Sequence, residues 1–314
     1  HDVRGATAWV TLEPCAHHGR TPPCADALVD AGLSRVVVAV ADPFPRVAGQ
    51  GIGRLRAAGI AVDLADADLA ARAREINIGF FSRFERGRPW VRLKVACSLD
   101  GRTALANGVS QWITGPEARL DGHRWRKRAS VILTGIGTVL ADDPRLDVRL
   151  VESHLQPLRM VLDSHLRVPD DARILQAPGR CEVVTSSLPD SSRSRALFDR
   201  GISVLAVDPG MDGRPSMAAV ASLLAQRQAN EVHVEAGAVL NGALLRAGLV
   251  DELLVYQAPM LVGPGIPLAD LPVSTELQEA LRFAIVETVT MGSDLRLRLF
   301  RLDGHVDSCQ RRTT

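Results

Sequence analysis

Short apolar runs rich in valine alternate along this chain with stretches whose apolar residues recur at helical spacing, the pattern of an α/β protein. The runs predict strands at residues 6–12, 35–40, 60–64, 90–98, 131–134, 159–163, 182–185, 204–207, 232–235 and 252–258. Between them the spacing predicts helices at 23–31, 51–58, about 68 to 79, 194–200, 217–226 and 240–247. Pro23 at the start of the first helix and Gly32 past its end follow the usual asymmetry of helix termini. Thr114-Gly115-Pro116-Glu117 reads as a capping box that opens a further helix to about Arg128. The end of the chain differs: strands at 283–290 and 294–302 flank a tight turn at Gly292, an antiparallel hairpin that finishes a mostly parallel sheet. The polar segment Phe84 to Pro89, broken by Gly87 and Pro89, predicts a domain boundary. The expected domains are 1–86 and 87–303, with 304–314 as a tail.

At 314 residues, 46% of them apolar, the chain can build two cores. Its 37 basic and 36 acidic residues balance without a long run of either sign, which argues against nucleic acid as a partner. Apolar runs such as Val36 to Ala41 are far too short to cross a bilayer, so no membrane association is expected. Cysteines at 15, 24, 97, 181 and 309 are too few and too irregular for a disulfide framework, and point to a reducing, cytoplasmic setting.

The densest chemistry lies between Thr11 and Cys24. Cys15 and Cys24 each follow a proline, and the loop between them carries His17, His18 and Arg20. A catalytic zinc takes three protein ligands and keeps a fourth place for water. In nucleotide deaminases the third ligand is a histidine of an upstream His-x-Glu unit, whose glutamate moves the protons. No such unit stands among residues 1–14, so the zinc site reads as incomplete and the first domain as lacking its N-terminal part. Cys24 at a helix start is expected to favour thiolate. Two alternatives stand beside this reading: unrelated cysteines next to a turn, and a local site made with His17 or His18.

The motif Thr11-Leu-Glu-Pro-Cys15-Ala-His-His-Gly-Arg-Thr-Pro-Pro-Cys24, with Ala25-Asp26-Ala27-Leu28 and Val36-Val37-Val38 after it, resembles the riboflavin-biosynthesis deaminase–reductase family. Residues from about 90 to 302 carry further matches: Leu93 to Ala104, Ser110 to Thr114, Leu133 to Pro144 and Val234 to Gly237. The resemblance implies a truncated cytidine-deaminase-like domain followed by a dihydrofolate-reductase-like α/β domain. It implies zinc ligation by Cys15 and Cys24, and a polar residue where Phe44 stands in Asp42-Pro43-Phe44-Pro45. Lacking a third ligand and a general base, this chain is expected not to deaminate.

For the second domain the resemblance implies NADPH contacts at Ala96, Trp112, Thr138, Asp142, Ser164 and along Gly237, Ala238, Val239, Leu240, Asn241, Gly242 and Ala243. It implies a phosphorylated pyrimidine substrate against Ser110, Arg126, Leu146, Arg149 and Glu235, and a homo-oligomer. The residues agree with this. A strand, a glycine-bearing turn and a helix start make an anion cradle, although such a turn more often only links two elements. The planar donor forks of Arg126 and Arg149 suit phosphate, whereas Arg124 and Arg128 read as ordinary surface arginines. Lys94 is the candidate electrophile or proton donor and Glu235 the candidate holder of pyrimidine or ribose. For Lys94 the bland reading is a snorkelling lysine, for Asp142 and Asp143 turn formers, and for Trp112 core. A full bifunctional enzyme, if the sequence is a fragment, and a non-catalytic remnant are the rival readings. A melting temperature raised by NADPH tells a binding-competent chain from a remnant.

Overall fold

The computed structural model describes residues 2–19, 21–44, 47–186 and 191–302. The chain divides into two compact units, His1–Gly87 and Arg88–Thr314. The 304–314 tail, His1, Arg20 and Pro45 lie outside the described residues.

The first unit runs β1 (Thr7–Val10), α1 (Cys24–Asp30), β2 (Arg35–Val38), α2 (Gln50–Ala57), β3 (Ala61–Leu64), α3 (Ala67–Ile76) and α4 (Ile78–Arg86). Its three strands pair in parallel in the order β1-β2-β3. Ala25, Val36, Val38, Leu55 and Ile60 form its core. The loop after β1 is tied down by one side chain. Glu13, 3% exposed, accepts the backbone N–H groups of Asp42, Gly49, Gly51 and Ile52. It thereby satisfies donors at the start of α2 that the helix itself cannot. Gly51 must be glycine there, because a Cβ would lie 1.7 Å from the Pro14 carbonyl oxygen. The segment Phe84 to Pro89, expected to hold the domain boundary, starts as helix: the Phe80 and Phe84 rings meet edge-on one turn apart at 4.7 Å, α4 stops at Gly87, whose φ of 68° is left-handed, and the units divide just after it.

The second unit begins with β4 (Trp90–Cys97), β5 (Arg102–Leu105), α5 (Pro116–Arg128), β6 (Val131–Gly135), α6 (Ile136–Asp142), β7 (Leu158–Leu162) and α7 (Arg173–Gln176). It continues with β8 (Cys181–Thr185), α8 (Ser192–Asp199), β9 (Ser203–Ala206), α9 (Met217–Gln226), β10 (Glu231–Val234) and α10 (Ala238–Arg246). The last elements are β11 (Glu252–Gln257), β12 (Gly265–Pro267), β13 (Phe283–Met291) and β14 (Asp294–Arg301). Nine strands form one sheet in the order β13-β14-β11-β4-β10-β6-β7-β8-β9. Every pair from β11 to β9 is parallel, and β14 and β13 add antiparallel at the edge as a hairpin turning at Gly292. Strands β5 and β12 pair separately as a two-stranded ribbon. The large sheet is apolar on both faces, one cluster holding Leu93, Leu133, Val232 and Val234, the other Ile132, Val161 and Val183.

One local expectation gives way to a long-range contact. Thr114 does not cap α5; the N-cap is Gly115, whose N–H donates to the Asp294 carboxylate of β14 at 2.7 Å. Helix α6 follows β6 with no loop between, where only a motif was read. Among the described residues no helix is long and apolar enough to cross a membrane.

Candidate active site

Strand β10 alternates Glu231-Val232-His233-Val234, and Glu235 continues the rhythm, its N–H donating to the Leu133 carbonyl. Side chains two apart on a strand share a face. Val232 and Val234 enter the apolar cluster, so Glu231, His233 and Glu235 face the opposite way. There α5 meets them. Arg128 pairs with Glu231 at 2.7 Å. Arg126 pairs with Glu235 through both forks, Nε to Oε1 at 2.5 Å and Nη2 to Oε2 at 2.9 Å. Arg124 and Arg128 are both exposed, as expected of surface arginines, and each keeps an ion pair, Arg124 with Asp121 at 3.6 Å and Arg128 with Glu231.

Lys94 comes from the adjoining strand β4, its Nζ 3.7 Å from Glu235 Oε2 and 5.8 Å from the centre of the Tyr256 ring. The Tyr256 hydroxyl donates to Asp121, which also receives Arg296. Burial lowers the Lys94 pKa, and Glu235 only partly offsets that. Burial works against the Glu235 carboxylate too, but Arg126 and Lys94 beside it prevail and hold it well below the usual range. The result is a charged cluster of one acid and two bases at the carboxyl ends of parallel strands, where open α/β sheets place their ligands.

The cluster forms the floor of a cleft of about 480 Å³. Lys94, Ala96, Ser110, Trp112, Arg126, Thr138, Asp142, Leu146, Arg149 and Glu235, all singled out in the sequence, line it together. Trp112 is 67% exposed and so is not core; Arg119 stacks over its ring at 4.5 Å. Ser110 donates to Asp142 at 2.9 Å. Asp143 is a turn former with a left-handed φ of 39°, and its carboxylate accepts the Arg173 N–H. Leu146 holds a φ of 48°, a costly conformation for a non-glycine residue, inside the segment that carries Arg145, Asp147 and Arg149. Buried Asp147 binds Arg145 at 2.8 Å and Arg149 at 2.6 Å.

The remaining sequence candidates lie elsewhere. Ser164 is not on the cleft wall; its carbonyl accepts the Thr185 hydroxyl. No residue of α10 lines the cleft; Gly237, its uncapped N-cap, lies beside Thr138, which does. Asn241 is buried and donates to the Leu268 carbonyl, and a Cβ on Gly242 would lie 2.0 Å from the Asp270 carbonyl. Both therefore face the 268–270 segment. Leu240 packs on the core, Val239 is exposed, and Ala243 is half-buried. Residues the sequence reading passed over also line the cleft: Thr103, Arg119, His123, Arg145, Arg173 and Tyr256. His123 was detectable, since it stands three residues before Arg126 on one helix face.

In the first unit the Cys24 N–H donates to the Cys15 sulfur at 3.3 Å. The Cys24 pKa is raised, first by the hydrogen bond from Cys15 and then by burial, so the expected push toward thiolate from the seven-residue helix α1 does not prevail. His17 and His18 are exposed, and the His17 ring meets Phe44 edge-on. Among the described residues no group of three His, Cys, Asp or Glu side chains is placed to hold a metal ion.

Fold and cleft together define a mixed α/β protein with a cationic ligand site at the end of its parallel sheet. Residues 89–297 match the family model described as the RibD C-terminal domain. The chain is 44% identical over 310 residues to riboflavin biosynthesis protein RibD of Escherichia coli, covering 95% of this chain and 82% of that protein. It is 40% identical to its Haemophilus influenzae counterpart, with 94% and 80% covered. Among solved structures, Acinetobacter baumannii RibD superposes with a TM-score of 0.81 at 42% identity, covering 95% of this chain and 82% of that one. A deaminase/5-amino-6-(5-phosphoribosylamino)uracil reductase from Thermotoga maritima gives 0.81 at 28% identity, with 96% and 81% covered. The chain belongs to the RibD family of riboflavin biosynthesis proteins, and its second unit carries the family's C-terminal domain.

Proposed function

We propose that the second unit reduces 5-amino-6-(5-phosphoribosylamino)uracil, using NADPH, at C1′ of the ribosyl group, opening the sugar to a ribityl chain. The observation that carries this is the Lys94–Glu235–Arg126 cluster at the floor of a cleft walled by Arg145 and Arg149. Lys94, Arg119, Arg126, Arg145, Arg149 and Arg173 line the cleft against only Asp142 and Glu235, an excess of positive charge that favours a phosphorylated substrate. The relationship to a protein described as that reductase supports the same reading.

The residues fit a dinucleotide. The uncapped start of α10, with Gly237 beside Thr138 of the cleft wall, offers backbone N–H groups to phosphate, and Ala96, Trp112 and Asp142 line the cleft itself. Bound there, the reduced nicotinamide supplies the hydride. The protein's part is placement and charge. Arg149 and Arg145, only partly buried, grip the substrate phosphate. Arg126, 14% exposed and paired through Nε and Nη2 with Glu235, orients that carboxylate toward the ribose hydroxyls or pyrimidine, and its Nη1, beside His123 and Asp147, faces the phosphate end. Lys94, its pKa lowered, donates a proton to the departing ring oxygen as the sugar opens. Ser164, Asn241 and Gly242 have at most an indirect part.

Cys15 and Cys24 are two of the ligands a zinc site needs, and two sulfurs do not complete one. The described residues therefore do not fit a catalytic zinc, and no deaminase step is derived from them. On this reading the described residues of the first unit carry no deaminase step by themselves, and ammonia released from the diaminopyrimidine by this chain would contradict that.

The test is oxidation of NADPH by the purified chain with the phosphorylated substrate. Lys94→Ala should lower kcat by roughly a hundredfold or more while NADPH still binds. Unchanged turnover in that variant removes Lys94 from the mechanism.

A further inference from the structure

We infer that His123 is a positioning residue for the anionic end of the substrate: its ring fixes the backbone of Arg149 against the guanidinium of Arg126 and turns its own N–H to the point where the two arginines converge. The inference rests on the phosphorylated-substrate reading above and assigns a residue to it.

His123 is 4% exposed, on the cleft-facing side of α5, one turn before Arg126. Its Nδ1 accepts the backbone N–H of Arg149 at 3.2 Å. In a neutral imidazole an accepting Nδ1 leaves the proton on Nε2. That Nε2 stands 3.4 Å from Arg126 Nη1, a group that can only donate. Two donors thus face one another at the cleft wall, and an acceptor oxygen between them satisfies both. The second hydrogen of Arg126 Nη1 goes to the Asp147 carbonyl at 3.2 Å, and the Asp147 carboxylate holds Arg149 Nη1 at 2.6 Å. Backbone and side chain of Arg149 are therefore each fixed, one by His123 and one by Asp147.

The ring adds a donor without adding charge. Burial, then Arg126 and Arg149, push its pKa down to about 4, so it is neutral near pH 7. A cation at 123 would repel both arginines and loosen what it organises.

The test uses the full chain with inorganic phosphate, followed by calorimetry, and the phosphorylated substrate beside its dephosphorylated counterpart, followed by turnover. His123→Ala should weaken phosphate binding about tenfold and raise KM for the phosphorylated substrate by as much, with kcat less affected, the loss of one charge-assisted contact. KM for the dephosphorylated compound should stay put. His123→Gln, which keeps an acceptor and an N–H donor, should restore most of the loss. His123→Leu fills the space without either and should behave like the alanine variant; it carries the test if that one does not fold. Equal phosphate binding by wild type, His123→Leu and His123→Gln overturns the assignment alone. Equal KM changes for both substrates also overturn it, as a general collapse of the site. No phosphate binding by the wild type overturns the phosphate reading of the cleft, and the assignment with it.

Discussion

At the scale of single residues, the side chains that shape this cleft are held by partners more than by their own conformational preferences. Asp147 shows it best. It is almost fully buried, and burial opposes its charge, yet Arg149 and Arg145 keep its pKa below the usual value. Asp147→Ala should release both arginines and raise KM for the phosphorylated substrate about tenfold or more, with a smaller change in kcat; steady-state kinetics reads this. Arg126, Arg149, Lys94 and Glu235, which the cleft brings together, were legible through the family resemblance, with the planar forks of the arginines suiting phosphate. Asp147 was not, because it looks like an ordinary loop residue until its loop folds back onto α5, whereas His123 could be found from its place on the Arg126 face of that helix. Asn241 and Gly242, expected along the cofactor from the family resemblance, face the 268–270 segment, where Gly242 makes room for the Asp270 carbonyl. Gly242→Ala should destabilise the second unit by about 1–3 kcal/mol, measurable by urea unfolding.

Elements with regular apolar spacing were read to within a few residues, since burial sets both their type and their phase. The misses have two causes, shortness and distance along the chain. Helix α6 is only seven residues long and starts directly from β6, too short for a period to emerge. Strand β5 is four residues pairing with β12, more than 150 positions away in the chain, a contact no local pattern announces. The same distance effect moved the start of α5, where Asp294 supplies the anion that the helix dipole favours. The hairpin contributes more than an edge. Arg298 of β14, half-buried, joins buried Glu252 of β11, which also binds buried Arg92 of β4 at 2.9 Å. Burial opposes the Glu252 charge, but Arg92 and Arg298 take its pKa down to about 2. A depressed carboxylate pKa contributes stability present above its unfolded value near 4.5 and lost as pH falls toward 2. Glu252→Gln should flatten acid unfolding in that window, read as melting temperature against pH.

For the molecule as a whole, 37 bases against 36 acids make a nearly neutral chain, yet the cleft concentrates positive charge. Attraction of a phosphorylated ligand should therefore fade with salt: KM should climb as ionic strength rises through the range where the screening length drops below about 10 Å, while a dephosphorylated ligand shows little change. A KM indifferent to salt would mean the arginines are neutralised by their own partners. Fold class and the C-terminal hairpin were legible because each follows from runs of residues close in sequence. The pairing order of the nine strands was not, since it depends on which edges meet across more than 100 residues.

The alternation in β10 has a consequence for length. One inserted or deleted residue between Glu231 and Glu235 would exchange the two sides of the strand beyond that point. Val234 would then confront the guanidinium of Arg126, and carboxylate and imidazole would be thrust among Leu93 and Leu133. No conservative choice of inserted amino acid could repair this, so single-residue insertions here should abolish soluble protein even where point substitutions survive.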